Sequence, residues 1–291
     1  MRLAVTGRTG QVARALAETG PRAGVEVMAL ARPALDLAVP GTVLPALRAA
    51  GVDAVVNAAA HTGVDAAEDD AEAAFALNEG GARDVARAAA ELGLPVIQLS
   101  TDYVFDGSGD RPWREDDPTG PLGVYGASKL AGEAAVRAAT ANHAILRTSW
   151  VHSPFGTNFV KTMLRLGAER DVLRVVDDQI GAPTSAHDIA AGVIAVARNL
   201  LAHPHRALRG TFHMAACGET SWAGFARETF ARAGLGVEVT GIASEDWPTR
   251  AARPRNSRLD CTKLLRVHGV ALPHWHEGLA PVIARLREDI A

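Results

Sequence analysis

"AVTGRTGQVARAL", residues 4–16, places two glycines where an apolar run gives way to an Ala-rich helical pattern. Gly7 and Gly10 lack the Cβ atom that would keep this turn away from a pyrophosphate, and the N–H groups of the following helix would face the phosphates. Ala13 stands where a third glycine often does, a mild departure because that position mainly serves helix–strand packing. A glycine pair alone is equally typical of a structural turn. Its place after the first strand favours dinucleotide binding.

Short apolar runs alternate with amphipathic, Ala-rich segments through the first half of the chain. The runs predicted as buried strands are 2–6, 25–30, 53–57, 95–100 and 143–148. Repeated strand–helix–strand units are typical of a parallel sheet covered on both faces, and crossovers in such a sheet are right-handed. We therefore predict an α/β fold with a doubly wound, Rossmann-like parallel sheet that binds NAD(P).

The alternation of strands and helices becomes less regular after about residue 150. Further strand candidates are 173–178, 210–214 and 237–242, and further helix candidates are 187–200, 221–233 and 275–288. We expect residues 1–150 to form the NAD(P)-binding domain, and 151–291 to form mainly a smaller α/β substrate-binding lobe. The segment around 185–215 is expected to return to the main sheet. A cleft between the two lobes is the expected ligand site.

Composition limits the possible partners. The chain has 291 residues, of which 48% are hydrophobic and 22% charged, as is ordinary for a globular protein. A net charge of −3 and a pI near 6.4 give no sign of a nucleic-acid or anionic-membrane partner. The opening residues lack the apolar core of a signal peptide, and no apolar run reaches the roughly 20 residues of a membrane span, so we expect a cytoplasmic protein. Cys217 and Cys261 have no zinc or disulfide spacing.

The end of the second strand bears on the choice between nicotinamide cofactors. An acidic residue there holds a ribose 2′-OH, whereas an arginine accommodates a 2′-phosphate. The stretch "VMALARPALD" (27–36) has Arg32 near the strand end and Asp36 a few residues later, and Arg8 in the glycine turn could also reach a phosphate. The pattern favours NADPH, with NADH still possible. The alternative is that both arginines are solvated surface charges.

Small residues follow the third strand in "VVNAAAHTGVD" (55–65). They would let a cofactor ribose and nicotinamide lie over the strand end, where Asn57, His61 and Thr62 offer hydrogen bonds. A lone histidine is more often structural than catalytic. Asp65 begins the next helix and could be only its N-cap.

Hydroxyl and carboxyl groups follow the fourth strand in "QLSTDYVFDG" (98–107). Ser100, Thr101 and Asp102 stand at its carboxyl end, the side of an open parallel sheet where ligands bind. A hydroxyl there can hydrogen-bond a substrate carbonyl. Taken alone, a strand-end turn with a capping hydroxyl explains the same residues.

The stretch "GVYGASKLAGE" (123–133) holds one of two tyrosines and one of three lysines, in a segment predicted as a helix over 124–139. Tyr125 and Lys129 are four residues apart and so share one helix face. A phenol has a pKa near 10, which a neighbouring ammonium is expected to lower. The pair is therefore predicted to donate a proton to an alkoxide formed by hydride addition, with the lysine also bonding the nicotinamide ribose.

The glycine turn, Thr101 and Tyr125-x-x-x-Lys129, in this order, resemble the extended short-chain dehydrogenase/reductase superfamily. Longer stretches, spread from residue 1 to about 280, resemble the dTDP-4-dehydrorhamnose reductase family. They are "GRTGQV", "VVNAAAHTGVDAAE", "STDYVFDGSGDRPWRE", "PLGVYGASKLAGE", "RTSWV", "NFVKTMLRL", "DDQIGAPT" and "RPRNSRLD". The resemblance implies reduction of the 4-keto group of dTDP-4-dehydro-β-L-rhamnose, the last step to dTDP-L-rhamnose for bacterial surface polysaccharide such as O-antigen.

The resemblance also implies roles for individual residues. Thr101, Tyr125 and Lys129 would be catalytic, with Tyr125 as proton donor. The cofactor residues, including those suggested by the motifs above, are Gly7, Gly10, Gln11, Val12, Arg32, Asp36, Leu37, Ala60, His61, Thr62, Tyr125 and Lys129. The substrate residues would be Thr101, Asp102, Tyr125, Trp150, Asn158, and Arg255 and Asn256 with the adjoining Ser257. An aromatic face suits a sugar or base, and an arginine suits a diphosphate.

Related proteins include dehydratases, epimerases and regulatory subunits, and the sequence favours a reductase over all three. Sugar-nucleotide dehydratases usually have an Asp-Glu pair after the threonine, but Asp102 is followed by Tyr103. Epimerases are compatible with the triad but do not resemble the later stretches. Some proteins of this kind are NADP-binding regulatory subunits, for example of methionine adenosyltransferase, and the intact triad argues against that role.

Metal binding and oligomeric state are less defined by the sequence. Some family members form dimers bridged by magnesium through glutamates on the first helix and after "GAPT", where this chain has Ala15 and His187. A metal-bridged dimer is therefore doubtful, and magnesium dependence and the choice between monomer and homodimer stay open. The His-x-His pairs at 203/205 and 274/276 lack further ligands, so no metal site is predicted there.

Overall fold

The structure, a computed structural model, describes residues 1–288, so 289–291 of the predicted substrate lobe lie outside it. Its strands are β1 (Arg2–Thr6), β2 (Glu26–Leu30), β3 (Ala54–Asn57), β4 (Val96–Thr101), β5 (His143–Thr148), β6 (Val151–His152), β7 (Val172–Val176), β8 (Ile180–Gly181), β9 (Thr184–Ser185), β10 (Gly210–His213), β11 (Thr220–Ser221) and β12 (Glu238–Ile242). Its α-helices are α1 (Gln11–Arg22), α2 (Val43–Ala50), α3 (Val64–Asp69), α4 (Ala71–Phe75), α5 (Ala82–Glu91), α6 (Val124–Ala139), α7 (Phe159–Gly167), α8 (Ala186–Ala202), α9 (Trp222–Ala233), α10 (Thr262–His268) and α11 (Trp275–Glu288). Every helix in this part of the chain is too short or too polar to span a bilayer.

Six parallel strands form the main sheet in the order β10-β5-β4-β3-β1-β2. From β1 the chain steps to β2 on one side and then continues through β3, β4 and β5 on the other. The carboxyl ends of β1 and β3 therefore mark the point where the winding reverses, which is where open α/β sheets bind ligands. The predicted doubly wound α/β fold is confirmed.

Strand β1 shows why helices cover both faces of this sheet. Leu3 and Val5 point into one core, where α1 and α8 pack, and Ala4 points into the other, which α2 and α5 cover. All three side chains are fully buried. A strand buried on both faces needs apolar residues at successive positions, as "RLAVT" provides.

The second lobe is built around small sheets. Strands β7 and β12 pair in parallel under α9, while the two-residue strands form the pairs β6–β9 and β8–β11. Val160 on α7, Phe225 on α9 and Leu279 on α11 share one core. The two-residue strands were not predicted, because two residues are too few to show an alternating pattern. Residues 186–213 supply α8 and β10, and β10 pairs with β5 in the main sheet.

Candidate active site

A cleft of about 1030 Å³ opens at the carboxyl ends of β1, β3, β4 and β5 and continues against the second lobe. Among the predicted cofactor residues, those that line it are Gly7, Gly10, Gln11, Val12, Arg32, Asp36, Leu37, Ala60, Thr62, Tyr125 and Lys129. Among the predicted substrate residues, those that line it are Thr101, Asp102, Tyr125, Trp150 and Asn158. His61, Arg255 and Asn256 do not line this cleft.

The glycine turn presents bare backbone to the cleft. Gly7 has φ +87°, which favours glycine, and its N–H donates to Leu30 O at 2.8 Å. Gly10 caps α1 without a side-chain hydrogen bond, and a Cβ built on Gly10 meets no protein atom within 4 Å. The first N–H groups of α1 thus adjoin open space, and this geometry fits a dinucleotide pyrophosphate.

Two arginines stand at the outer end of the same cleft. Arg8 and Arg32 are exposed, and neither makes a hydrogen bond or ion pair within residues 1–288. Asp36 Oδ1 instead accepts a hydrogen bond of 3.0 Å from Ala38 N in its own loop. Two uncompensated cations at the end of β2 fit the extra phosphate of NADP.

Asn57 was expected to bond the cofactor, and this expectation is wrong for the observed geometry. Its Oδ1 accepts from Thr6 Oγ1 at 2.6 Å, and its Nδ2 donates to Gln98 Oε1 at 2.8 Å. The side chain is buried and joins β1, β3 and β4 beneath the cleft. A polar group in a sheet interior needs such partners because burial without them is costly.

His61 is held by a residue that the sequence did not single out. Asn78 Oδ1 accepts from His61 N at 2.8 Å, while Asn78 Nδ2 donates to His61 O and to Ser128 Oγ at 3.1 and 2.9 Å. Asn78 lies in a π-helix, Ala76–Gly81, a form often found at functional sites. It orders the loop containing Ala60 and Thr62 against α6. In the sequence, the only hint of this role was a polar asparagine within an Ala-rich segment.

Asp65 is not the N-cap of α3. Gly63 holds that position, and the Asp65 carboxylate pairs with Arg253 at 2.7 Å and accepts from Ala251 N at 3.0 Å. The Arg253 guanidinium lowers the pKa of Asp65. The contact ties the loop before Arg255 to the exit of β3.

Tyr125, Thr101 and Asp102 meet where β4 ends. Thr101 Oγ1 donates to Asp102 Oδ1 at 3.0 Å and accepts from Tyr103 N at 3.2 Å. The Tyr125 ring packs edge-on against Tyr103, with ring centroids 5.5 Å apart. Burial raises the pKa of Asp102 to about 6, and hydrogen bonds from the Ser257 and Thr101 hydroxyls lower it. The cleft thus has a polar floor beside the phenol.

The pKa of Tyr125 departs from the sequence-based expectation. Burial raises it to about 12, the hydrogen bond with Thr101 lowers it, and the Asp102 charge raises it. Lys129 is not among these causes, and its Nζ donates to Leu99 O at 2.7 Å. The expected lowering by Lys129 is therefore wrong for this structure, and Tyr125 is protonated at neutral pH.

Lys129 is 5% exposed and carries its charge into the protein interior. Burial lowers its pKa to about 8, and the Glu133 carboxylate one turn later on α6 raises it. The ammonium has three N–H donors, of which one is used on Leu99. Lys129 lines the cleft, so the remaining donors could serve a ribose hydroxyl bound there.

A buried ion pair fixes α6 against the sheet. Arg147 on β5 donates to both Glu133 oxygens at 2.8 Å, and Ser100 Oγ donates to Glu133 Oε1 at 2.6 Å. Both charged side chains are almost completely buried, so loss of either partner would leave an uncompensated charge. Ser100 therefore has a structural partner and does not face a substrate alone.

An aromatic wall closes the second-lobe side of the cleft. Trp150 has φ +47°, unusual for a non-glycine residue, and stacks on Trp222 with ring centroids 3.6 Å apart at 11°. A Cβ on Gly181 would come within 2.6 Å of the Trp150 indole. Trp222, Phe159 and Phe225 line the cleft and were missed, since the sequence shows no reason to place them beside Trp150.

The segment "RNS" lies outside the cleft. The Arg255 side chain is exposed and bonds Glu245 at 3.0 Å. Asn256 is buried, and its Nδ2 donates to Arg111 O and Ser108 O at 2.8 and 3.3 Å. Ser257 is also buried and lowers the pKa of Asp102 through its hydroxyl. In this structure the Asn256 side chain orders the loop around Ser108 and Arg111.

Ala15 and His187, which stand where some family members have magnesium-binding glutamates, do not form a metal site. Ala15 is fully buried, and His187 Nε2 lies 3.1 Å from Glu18 Oε2, which Arg285 also contacts. The Arg285 guanidinium lowers the pKa of Glu18. Across residues 1–288, no cluster of three or more histidine, cysteine or acidic side chains is arranged to hold a metal ion.

Comparison with known proteins gives consistent matches over the whole chain. The family described as RmlD substrate binding domain matches residues 1–288. A dTDP-4-dehydrorhamnose reductase of Sinorhizobium fredii is 51% identical over 282 residues, covering 96% of this chain and 95% of the relative. A crystal structure of the enzyme of that name from Clostridium acetobutylicum superposes with a TM-score of 0.92 and 36% identity, covering 99% of this chain and 100% of the other.

A second solved structure adds a bound cofactor. It is dTDP-4-dehydrorhamnose reductase from Bacillus anthracis in complex with NADP, with a TM-score of 0.91 and 34% identity over 98% of this chain and 99% of the other. Identity and coverage of this extent reach well beyond the superfamily motifs. The chain therefore belongs to the dTDP-4-dehydrorhamnose reductase family.

Proposed function

We propose that this protein reduces the 4-keto group of dTDP-4-dehydro-β-L-rhamnose to dTDP-L-rhamnose with NADPH. The observation that carries the proposal is that Thr101, Tyr125 and Lys129 line one cleft with the glycine turn, in a chain of the reductase family. The proposed setting is the cytoplasm, in the supply of a sugar for surface polysaccharide. Residues 1–150, with α8 and β10, would hold the cofactor, and the rest of the chain the nucleotide sugar.

Residues at both ends of the cleft would hold the cofactor. The N–H groups at the start of α1 suit its pyrophosphate, Arg8 and Arg32 suit its 2′-phosphate, and Lys129 suits a ribose hydroxyl. When bound, the nicotinamide supplies a hydride to the substrate carbonyl carbon. NADH has no 2′-phosphate, so the same site should accept it less well.

Tyr125 is the proposed proton donor to the carbonyl oxygen. Its raised pKa, about 12, keeps the phenol protonated at neutral pH, which is the form that the step requires. The Thr101 hydroxyl has one proton, which Asp102 Oδ1 accepts in this structure, so the hydroxyl would rotate to donate to the carbonyl oxygen and hold it beside the phenol. Lys129, on the same face of α6, would act on the cofactor ribose rather than on the phenol.

The alternatives are less well supported by the site. A purely regulatory NADP-binding role would not require Thr101, Tyr125 and Lys129 to line one cleft with the cofactor turn. A dehydratase would need the missing glutamate, because Tyr103 follows Asp102.

The decisive experiment follows nicotinamide absorbance after purified protein is mixed with NADPH and dTDP-4-dehydro-β-L-rhamnose. We expect NADPH oxidation that depends on the sugar nucleotide, with dTDP-L-rhamnose as product. A reaction without sugar is the blank. If the wild type binds NADPH but does not oxidise it in the presence of this substrate, the proposed activity is wrong.

A further inference from the structure

Gln11 connects the glycine turn to the second lobe through its side chain. Its Oε1 accepts from Ser153 Oγ at 2.7 Å and from Asn158 Nδ2 at 3.0 Å, and its Nε2 donates to Val151 O at 3.3 Å. These partners lie 140 to 147 residues away in the chain. Both the oxygen and the nitrogen of the amide therefore bond the connection between Trp150 and α7.

This connection is itself tightly ordered. Asn158 caps α7 by accepting from Lys161 N at 3.2 Å, and its Nδ2 also donates to Ser153 O at 2.8 Å. Ser153 is fully buried. The connection begins at Trp150, whose left-handed backbone requires support from its surroundings. A displacement of Gln11 would therefore reach both Asn158 and the aromatic wall.

The backbone of Gln11 lies at the cofactor end of the cleft, at the start of α1. Gln11 is the first residue of α1 and directly follows the N-cap residue Gly10, which makes no side-chain hydrogen bond to the helix. The Gln11 N–H is therefore one of the free N–H groups at the start of α1 that suit a pyrophosphate. Gln11, Trp150 and Asn158 all line the same cleft. One residue thus faces the cofactor site with its main chain and braces the substrate side with its side chain.

We propose that Gln11 is a positioning residue that couples the cofactor and nucleotide-sugar sites through Asn158 and Ser153. Ordering of the α1 N-terminus by the cofactor stabilises the 150–158 connection, which in turn favours the sugar nucleotide. Such coupling is reciprocal, so each ligand raises the affinity of the other by the same factor. The identities of the two ligands rest on the proposed function.

The test measures NADPH affinity by calorimetry with and without saturating dTDP, the nucleotide half of the substrate. For the wild type we expect dTDP to tighten NADPH binding about fivefold or more, within the usual range of coupling between sites. Gln11→Met keeps the side-chain length but makes none of the three hydrogen bonds. It should bring the affinity ratio close to one, whatever its effect on NADPH binding alone.

Asn158→Asp separates positioning from a merely structural role. Aspartate keeps the Oδ1 acceptor that caps α7 but loses the Nδ2 donor, and with it the bonds to Gln11 Oε1, Ser153 O and Phe155 O. We expect the same loss of coupling, and no further loss in the double variant, because both substitutions remove the hydrogen bond between Gln11 and Asn158. Asn199→Asp is the matched control: it removes an amide donor to His268 O at 2.8 Å outside the cleft and should keep the wild-type ratio.

The outcomes separate the two proposals. If the wild type binds both ligands without coupling, or if Gln11→Met and Asn158→Asp keep the wild-type ratio, the role of Gln11 is wrong and the proposed reduction is unaffected. If the wild type binds neither NADPH nor dTDP, the proposed function fails together with the coupling that rests on it.

Discussion

Lys129 donates a hydrogen bond of 2.7 Å to the carbonyl oxygen of Leu99, which anchors the ammonium to β4 while Tyr125 stands one turn earlier on α6. The lysine is therefore held in place by the protein before any ligand binds. Its charge is kept by Glu133, which opposes the effect of burial on its pKa. A charge held ready in this way requires no rearrangement during the reaction.

Tyr125→Phe should lower kcat at least about a hundredfold, because the variant lacks the acidic proton. Its affinity for NADPH should stay within about twofold of the wild type, since the ring is retained. Steady-state kinetics and a fluorescence titration check the two quantities. Tyr103→Phe, which keeps the edge-on packing against Tyr125, is the matched control and should lose less. Retention of most of the rate in Tyr125→Phe would show that another group donates the proton.

Lys129→Met should inactivate the enzyme and yet stabilise the ligand-free fold at pH 7. The pKa of Lys129 is about 8 when folded against a reference value of 10.5, so between these values the unfolded chain binds more protons. The charged lysine therefore destabilises the fold below pH 8, and this penalty disappears as the pH rises to about 10.5. We expect a net gain on the order of 1–2 kcal/mol after the lost hydrogen bond is counted.

Urea unfolding of the wild type and Lys129→Met from pH 7 to 10.5 tests this expectation. The stability difference should shrink with rising pH. Lys263→Met is the control for the lost hydrogen bond, since Lys263 Nζ also donates to a backbone carbonyl, Thr211 O, at 2.8 Å. A Lys129→Met variant less stable than the wild type at pH 7 would contradict the cost assigned to the buried charge.

Arg32→Ala should weaken NADPH binding about tenfold while changing NADH binding less than about twofold, because only NADPH offers the 2′-phosphate. Arg8→Ala should act in the same direction. Dissociation constants for both cofactors provide the measurement. Arg170→Ala removes an exposed arginine outside the cleft and serves as control. Equal losses for NADPH and NADH would place both arginines away from the 2′-phosphate.

Asn256→Ala should lower the free energy of unfolding by about 2–3 kcal/mol, because it leaves the loop carbonyls of Ser108 and Arg111 without their donor. Arg255→Ala removes an exposed ion pair with Glu245 and should change stability by less than about 1 kcal/mol. Chemical denaturation compares the two variants. A stable Asn256→Ala variant with a greatly raised KM for the sugar nucleotide would instead indicate a substrate contact.

Local sequence patterns predicted much of the fold and part of the candidate site. The alternation of apolar runs and helical segments predicted the parallel sheet, and the helix over 124–139 has the same bounds as α6. Tyr125 and Lys129 face one cleft because residues four apart share a helix face, which is a property of the helix alone. The glycine turn was likewise predictable, since its conformation depends on residues next to each other.

Which partner each polar or aromatic side chain contacts was decided by the tertiary structure. Asn57 bonds Thr6 and Gln98, Gln11 bonds Asn158, and Trp222 stacks on Trp150, although the members of each pair are far apart in the chain. The pKa of Tyr125 follows the same rule, because burial of the phenol within the folded chain raises it. The sequence by itself determined the sheet, the helix that carries Tyr125 and Lys129, and the glycine turn, since short-range sterics and periodicity specify them. Only the folded chain decided which groups remain free to meet a ligand, because hydrogen bonding and desolvation depend on three-dimensional proximity.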